Sequence, residues 1–521
     1  MSVHVSGFAP ELSRRGGGMM WCDKLTSVLF IDRSFDEFSH LLTAGENEAN
    51  PKSIEDGKVL QSVFSHEQDH LRRQFATSAG LIQLQLASRL VALCQSMCHE
   101  AAKAALDFPF PLVSNQLARK AIQYAMTVDS PLEILQQWTK FSEPEQHAIH
   151  AISTSLLMQC LEGEQRASMP LRAQLALAEF ALISLNIENG KLPYTSSAAE
   201  TLDYPEATGF WEGSWPGTKH LFEQSAMAYE MSFLTLLGGS TTPWQARLEL
   251  EQDYNAVLHA WFGRYPKRYH THGERRESDL FQNYYRALPV EFYAAVDLAW
   301  SIPWSPTGLI IPSAADGQDT SFNWTDVQPG WRLFRSFCVL SDIEDKFTPI
   351  TSDQRENVFA ETQQMICNAN NWPKPESVVR DWLSCTNSGA WRETFLGHFD
   401  EPSVNTGIAV MNSYLQKPFD VVLNNVDWGE IIKSRFQVWV TSEKDGQSMR
   451  AVAEGKGPAR AMASYYLYRG SLDLLFGTSG ISALRQSELQ LAVKSLNSYF
   501  SKKPEWDSDY FLSEASVAFA I

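Results

Sequence analysis

Apolar residues recur every three or four positions over most of this chain, which is the spacing that places them on one face of an α-helix. The spacing predicts helices over residues 54–77, 81–106, 117–126, 131–141, 144–160, 171–187, 218–237, 243–262, 278–300, 355–369, 459–476 and 481–500. Two short runs, at 24–32 and 308–311, have the composition of strands. The pattern therefore predicts a mainly α fold of the α+β type with a small sheet.

The helix predicted at 54–77 has one apolar arc and one polar arc. On a helix of about 3.6 residues per turn, the apolar arc comprises Val59, Leu60, Val63, Phe64, Leu71 and Phe75. The opposite, polar arc comprises Gln61, Ser62, Ser65, Gln68, Asp69, Arg72 and Arg73. Glu67 lies inside the apolar arc, with His66 and His70 at its edge. A carboxylate on a buried face is costly unless a partner compensates it, so Glu67 is a candidate for chemistry.

Residues 66–70 read His-Glu-Gln-Asp-His, an HExxH pentad. Positions four apart lie on the same helix face, so the imidazoles of His66 and His70 can bind one metal ion. Glu67 is then placed to accept a proton from a metal-bound water, as in zinc peptidases. The pentad predicts a catalytic Zn²⁺ site with Glu67 as general base. The alternative is a helix with two histidines at the edge of the core and a hydrogen-bonded core glutamate.

The third metal ligand has three candidates. An extended metzincin motif is excluded, because Arg73 and Ala76 stand where that class has glycine and histidine. Glu223 and Glu230 share one face of an otherwise apolar helix, where one carboxylate can bind the metal and the other can orient a ligand histidine. We expect Glu223 to be the ligand, with Glu100 and Glu230 as alternatives.

The pentad and the Glu-x-x-Ala motif that begins at Glu223, on the helix predicted at 218–237, resemble a group of bacterial HExxH proteins of the glutamate-zincin type. The run Val296-Asp297-Leu298-Ala299 further along fits the same resemblance. The resemblance covers about residues 60–300. It implies a zincin-like core and a zinc-dependent peptidase that holds its metal with His66, His70 and a distal glutamate.

A second group of polar residues lies in the sequence Tyr269-His270-Thr271-His272-Gly273, predicted to be a loop. If this loop folds over the cleft, Tyr269, His270 or His272 can stabilise the oxyanion of a tetrahedral intermediate. A second metal site and a solvated polar loop are the alternatives.

Charge and cysteine content narrow the class of protein. The formal net charge is −18, from 43 basic and 61 acidic residues, which disfavours binding to nucleic acid or to anionic membranes. Seven cysteines in a chain of 521 residues do not form a disulfide framework. No secretory signal or membrane-spanning run is apparent, so we expect a cytoplasmic protein.

These observations predict three regions: a flexible tail at 1–18, a zincin-like metallopeptidase region at 19–345 with its small sheet beside the HExxH helix, and an α-helical region at 346–521. The expected function is zinc-dependent hydrolysis of a protein or peptide. The alternative is a non-catalytic α-helical scaffold for protein partners, or a zincin that no longer binds metal.

Overall fold

Most of the chain that the structure describes is helical. The computed structural model describes residues 20–23, 28–31, 51–104, 123–124, 134, 136–163, 171–188, 216–238, 252–265, 288–305, 308–309, 326–387, 401–427, 439–442 and 448–451. Its longer helices are α1 (Pro51–Ala76), α2 (Ser78–Ala104), α3 (Glu143–Glu162), α4 (Leu171–Glu188), α5 (Thr218–Leu236), α6 (Gln252–Arg264), α7 (Val290–Trp300), α8 (Pro329–Leu340), α9 (Arg355–Asn370), α10 (Pro375–Asn387), α11 (Glu401–Gln416) and α12 (Pro418–Val422). Short 3₁₀ helices lie at Trp138–Lys140 and Ser341–Lys346.

The strands of the described residues form three antiparallel ladders of two strands each. They are β1 (Met20–Asp23) with β2 (Val28–Ile31), β3 (Trp304–Ser305) with β4 (Gly308–Leu309), and β5 (Trp439–Ser442) with β6 (Ser448–Ala451). Strand β1 lies beside α1, and β5 lies beside β2. The prediction of a mainly α fold is therefore confirmed, and a small two-stranded ladder lies next to the HExxH helix.

Helix α1 is enclosed by helices that come from distant parts of the chain. It packs against α5 on one side and α11 on another, and it also contacts α2. Leu60, Val63, Leu71 and Phe75 of α1 are all buried in the hydrophobic core. Helices α5 and α11 therefore lie beside the HExxH helix, although they begin about 150 and about 340 residues further along the chain than the pentad.

The backbone bends at Thr77, between α1 and α2. The Thr77 hydroxyl donates to the carbonyl of Arg73 at 2.8 Å and accepts from the amide of Gly80 at 3.1 Å. Glycine is needed at position 80, because a Cβ there would lie 2.3 Å from the carbonyl oxygen of Gln74. The missing side chain at Gly80 therefore allows α2 to begin directly after α1.

Helix α11 approaches the HExxH helix closely through Gly407. A Cβ at this position would lie 2.3 Å from the backbone oxygen of Phe75, so Gly407→Ala forces the two helices apart. Such overpacking commonly costs about 1–3 kcal/mol, and we expect a loss near the upper end because the obstructing atom belongs to the backbone. Urea denaturation followed by circular dichroism measures the loss.

The matched control is Gly263→Ala. Gly263 is an exposed glycine of α6 with no atom within 4 Å of the added Cβ. An alanine favours a helix over glycine by up to about 1 kcal/mol, so this variant should be as stable as the wild type or slightly more so. Equal stability of the Gly407→Ala variant and the wild type would contradict the close approach of α11 to α1.

Several predictions from the sequence concern residues that the structure does not describe. The helices predicted at 459–476 and 481–500, most of the helix predicted at 117–126 and the tail at 1–18 lie outside the described residues. The boundaries at 18/19 and 345/346 stay predictions. Among the described residues, no helix is long and apolar enough to cross a membrane.

Candidate metal centre

Two helices bring five ionisable side chains together in the core. Helix α1 supplies His66, Glu67 and His70, and α5 supplies Glu223 and Glu230. The exposed fraction of each residue is 8% or less. Burial of so many ionisable groups is costly unless they are compensated by one another or by an ion, so this cluster is a candidate functional site.

The geometry singles out three ligand atoms. His66 Nε2 lies 3.0 Å from His70 Nε2 and 3.3 Å from Glu223 Oε2, and His70 Nε2 lies 3.2 Å from the same carboxylate oxygen. The three atoms form a nearly equilateral triangle, with both rings presenting the same nitrogen. Among the described residues, this is the one group of three histidine, cysteine or carboxylate side chains close enough to hold a metal ion.

The lone pairs of these three atoms favour a proton or a metal ion between them. His66 Nδ1 lies 2.9 Å from Glu230 Oε2, so the negative charge of this carboxylate favours a proton on Nδ1. The neutral ring then presents only a lone pair at Nε2. The carboxylate of Glu223 is an acceptor as well. Lone pairs at such short separations repel one another unless a proton or a metal ion lies among them.

The electrostatics of the site also favour positive charge. Burial by itself lowers the pKa of the His66 imidazole. The charge of Glu230 and hydrogen bonds to Glu223 and Glu230 outweigh that effect, with a smaller contribution from Glu67. The pKa of His66 is therefore raised well above 6.5, which means that the surrounding carboxylates stabilise a cation at this ring.

Glu230 is placed as the partner that orients His66. Helix positions seven apart are about 10.5 Å apart along the axis, and the His66 ring reaches Glu223 with Nε2 and Glu230 with Nδ1. Carboxylates that hold a ligand histidine in this way fix its tautomer and ring orientation. Glu230, considered above as an alternative ligand, therefore contacts His66 and is not itself in the triangle.

We expect Glu230→Gln to weaken metal binding, and Glu230→Ala to weaken it further. The glutamine keeps an acceptor for the His66 Nδ1 proton but loses the negative charge, whereas the alanine loses both. Loss of such a partner typically lowers metal affinity about 10–100-fold. Competition against a fluorescent chelator measures this affinity. Wild-type affinity in both variants would show that Glu230 does not support the ligand.

Some candidate site residues predicted from the sequence fall outside the part of the chain that the structure describes. Glu100 lies on α2, but its side chain is outside the described residues, so its role as an alternative ligand stays a prediction. The loop with Tyr269, His270 and His272 is also outside them, and its proposed contribution to oxyanion binding stays a prediction.

Most of the polar arc of the HExxH helix is buried, like its apolar arc. The side chains of Ser62, Ser65, Asp69, Arg72 and Arg73 are all at most 5% exposed, because α5 and α11 cover this face. The arginines are compensated within the protein. The guanidinium of Arg72 lies over the ring of Tyr229 at 4.5 Å, and that of Arg73 lies over Trp300 at 4.7 Å.

Sequence reasoning missed a polar contact between the two helices of the site. Ser225 Oγ donates to Asp69 Oδ2 at 2.8 Å, and Arg73 Nε lies 3.5 Å from Asp69 Oδ1. Burial raises the pKa of the Asp69 carboxyl, but Arg73, Arg72 and the Ser225 hydroxyl together hold it below 3.8. The only signal in the sequence was the position of an acidic residue directly before His70.

Asp297 of the run Val296-Asp297-Leu298-Ala299 lies in a separate buried network. Its carboxylate accepts hydrogen bonds from Trp300 Nε1 at 2.8 Å, from Gln363 Nε2 at 2.5 Å and from Tyr414 Oη at 2.5 Å. Burial raises the pKa of Asp297 to about 6. The network joins α7, α9 and α11, and Asp297 also acts electrostatically on Arg73 of the HExxH helix.

No protein-family model matches this chain, and neither the curated proteins nor the solved structures include a significant match. The resemblance to glutamate zincins therefore still depends on the pentad and on the distal glutamate.

Proposed function

We propose that this protein is a zinc-dependent metallohydrolase that cleaves proteins or peptides. The observation that carries the proposal is the convergence of His66 Nε2, His70 Nε2 and Glu223 Oε2 from two helices, beside the glutamate of an HExxH pentad. Two imidazoles and one carboxylate are the protein ligands of glutamate-type zinc peptidases.

The ligand separations suit zinc. Zinc bonds to nitrogen and oxygen are about 2.0–2.2 Å long, so the ligands of a tetrahedral ion lie about 3.3–3.5 Å apart. The observed separations of 3.0, 3.2 and 3.3 Å are within a few tenths of an ångström of this value. Three protein ligands would leave a fourth position on a zinc ion for water or substrate, the arrangement typical of catalytic zinc sites.

Each residue has a definite task in the proposed reaction. His66, His70 and Glu223 would hold the zinc ion, which would supply Lewis-acid activation of a water molecule and of the scissile carbonyl. Glu67 accepts a proton from the attacking water as the carbon–oxygen bond forms. It then delivers the proton to the nitrogen of the leaving amine as the carbon–nitrogen bond breaks. Glu230 holds the His66 ring in the tautomer that presents Nε2.

Cysteine chemistry supports a reducing compartment. Among the described residues, Cys160 and Cys367 are buried free thiols. Free buried thiols are typical of intracellular proteins. We therefore propose that the reaction takes place in the cytoplasm, with a protein or peptide as the substrate and no role for nucleic acid or membrane.

Metal removal tests the proposal. We expect the purified protein to cleave members of a random peptide library, to lose this activity after dialysis against a chelator, and to regain it with stoichiometric Zn²⁺. His66→Ala should remain inactive after zinc addition, and it serves as the control for contaminating peptidases. Tight zinc binding without cleavage of any peptide would favour the alternative, a non-catalytic helical scaffold.

A further inference from the structure

Besides the contacts of His66 and His70 with Glu223, a further side-chain hydrogen bond joins the two ligand-bearing helices beside the metal site. Ser225 Oγ on α5 donates to Asp69 Oδ2 on α1 at 2.8 Å. Asp69 directly precedes the ligand His70, and Ser225 follows the ligand Glu223 by two residues. The bond therefore lies within two residues of a ligand on each helix.

Asp69 is itself fixed in place. It is fully buried, and its second carboxylate oxygen, Oδ1, lies 3.5 Å from Arg73 Nε and 4.0 Å from Arg72 Nε. Arg73 in turn donates to the carbonyl of Val421 at 3.0 Å and to Asn424 Oδ1 at 2.9 Å. The carboxylate that accepts from Ser225 is thus part of a network that reaches the end of α12.

Such a bond can set the register of α5 along α1. Apolar contacts between helices are non-directional, whereas a hydrogen bond requires a narrow distance and angle. A shift of one helix along the other by a single residue moves a side chain by about 1.5 Å. Metal–ligand distances tolerate only about 0.2 Å, so such a shift removes the Glu223 carboxylate from the site.

We propose that Asp69 and Ser225 are positioning residues that hold the carboxylate of Glu223 at the metal site by fixing α5 against α1. The inference rests on the proposed metal site. It states that the hydrogen bond between Ser225 and Asp69 determines the position of the third ligand, Glu223. Arg73 supports the arrangement by compensating the buried charge of Asp69.

The test compares Ser225→Ala with the wild type, using Co²⁺ as the probe. Cobalt affinity is measured by competition with a chelator, and the visible d–d spectrum reports the geometry of the ligands. We expect the alanine variant to bind Co²⁺ about 10–100-fold more weakly, the range typical of lost outer partners, with an altered spectrum. Ser225→Thr, which keeps the hydroxyl, should restore both.

Two controls separate positioning from a general loss of structure. Ser232 lies on the same helix, is exposed, and donates only within it, to the carbonyl of Ala228 at 2.9 Å, so Ser232→Ala should bind Co²⁺ like the wild type. Urea denaturation of the metal-free proteins measures stability separately. If Ser225→Ala does not fold, Ser225→Thr and Ser225→Val provide a pair of equal size that differs only in the hydroxyl.

The outcomes distinguish this inference from the proposed function. Wild-type affinity and spectrum in a folded Ser225→Ala or Ser225→Val variant would overturn the positioning role and leave the metal site intact. A lower stability with unchanged Co²⁺ affinity would also overturn the positioning role and leave the metal site intact. Failure of the wild type to bind Co²⁺ would overturn both proposals, whereas metal binding without hydrolysis would overturn only the peptidase activity.

Discussion

Replacement of Glu67 by glutamine is expected to abolish peptide hydrolysis while leaving the zinc content unchanged. Glu67 is outside the triangle of ligand atoms, so the variant keeps all three protein ligands. Glutamine has the same length and can still form hydrogen bonds, but it cannot accept the proton of the attacking water. General acid–base catalysis contributes about 10²–10⁴-fold to a rate, and we expect kcat to fall by at least that factor.

The measurement is kcat and KM on the best substrate from the peptide library, with zinc determined in the same samples. A fall in kcat with little change in KM indicates loss of an interaction made in the transition state. Glu67→Asp serves as a second variant, because it keeps a carboxylate but withdraws it by one methylene group, and its activity should be intermediate. An unchanged kcat in Glu67→Gln would show that Glu67 is not the base.

Replacement of Glu223 by glutamine should remove most of the metal affinity. Glu223 Oε2 is one of the three atoms of the triangle, and it supplies the only negative charge among them. A neutral amide oxygen is a weak zinc ligand. We therefore expect zinc affinity to fall by more than the 10–100-fold that loss of a supporting residue produces. Chelator competition with zinc measures the loss.

Glu100→Gln is the matched control, since the sequence offered Glu100 as another possible ligand. This variant should retain wild-type zinc affinity and wild-type hydrolysis. Loss of zinc from Glu100→Gln, together with retention by Glu223→Gln, would mean that the third ligand is Glu100. Equal losses of zinc affinity in Glu100→Gln and Glu223→Gln would mean that His66, His70 and Glu223 are not the complete set of ligands.

Local chemistry made the main elements of the site predictable. The spacing of His66 and His70 places both rings on one helix face whatever the rest of the fold, and the structure confirms the helix. Glu223 and Glu230 could be selected because two carboxylates seven apart on an apolar helix need compensation. Both lie in one cluster with the two histidines: Glu223 beside the Nε2 atoms of His66 and His70, and Glu230 beside the Nδ1 atom of His66.

Tertiary packing accounts for what the sequence did not reveal. The arc containing Asp69, Arg72 and Arg73 has the composition of a solvated surface, yet α5 and α11 bury it. Helix α11 (Glu401–Gln416) was not among the predicted helices. Glu223 lies 153 positions after His70, and no local pattern indicates their contact, which depends on how α5 packs against α1.

The measurement that tests the central claim most directly is the zinc content of the purified protein beside His66→Ala, by elemental mass spectrometry. We predict about one zinc ion per chain in the wild type and essentially none in the variant, because the two remaining protein ligands are too few to retain zinc during purification. Absence of zinc from the wild type, even after incubation with excess Zn²⁺, would contradict a metal site at His66, His70 and Glu223.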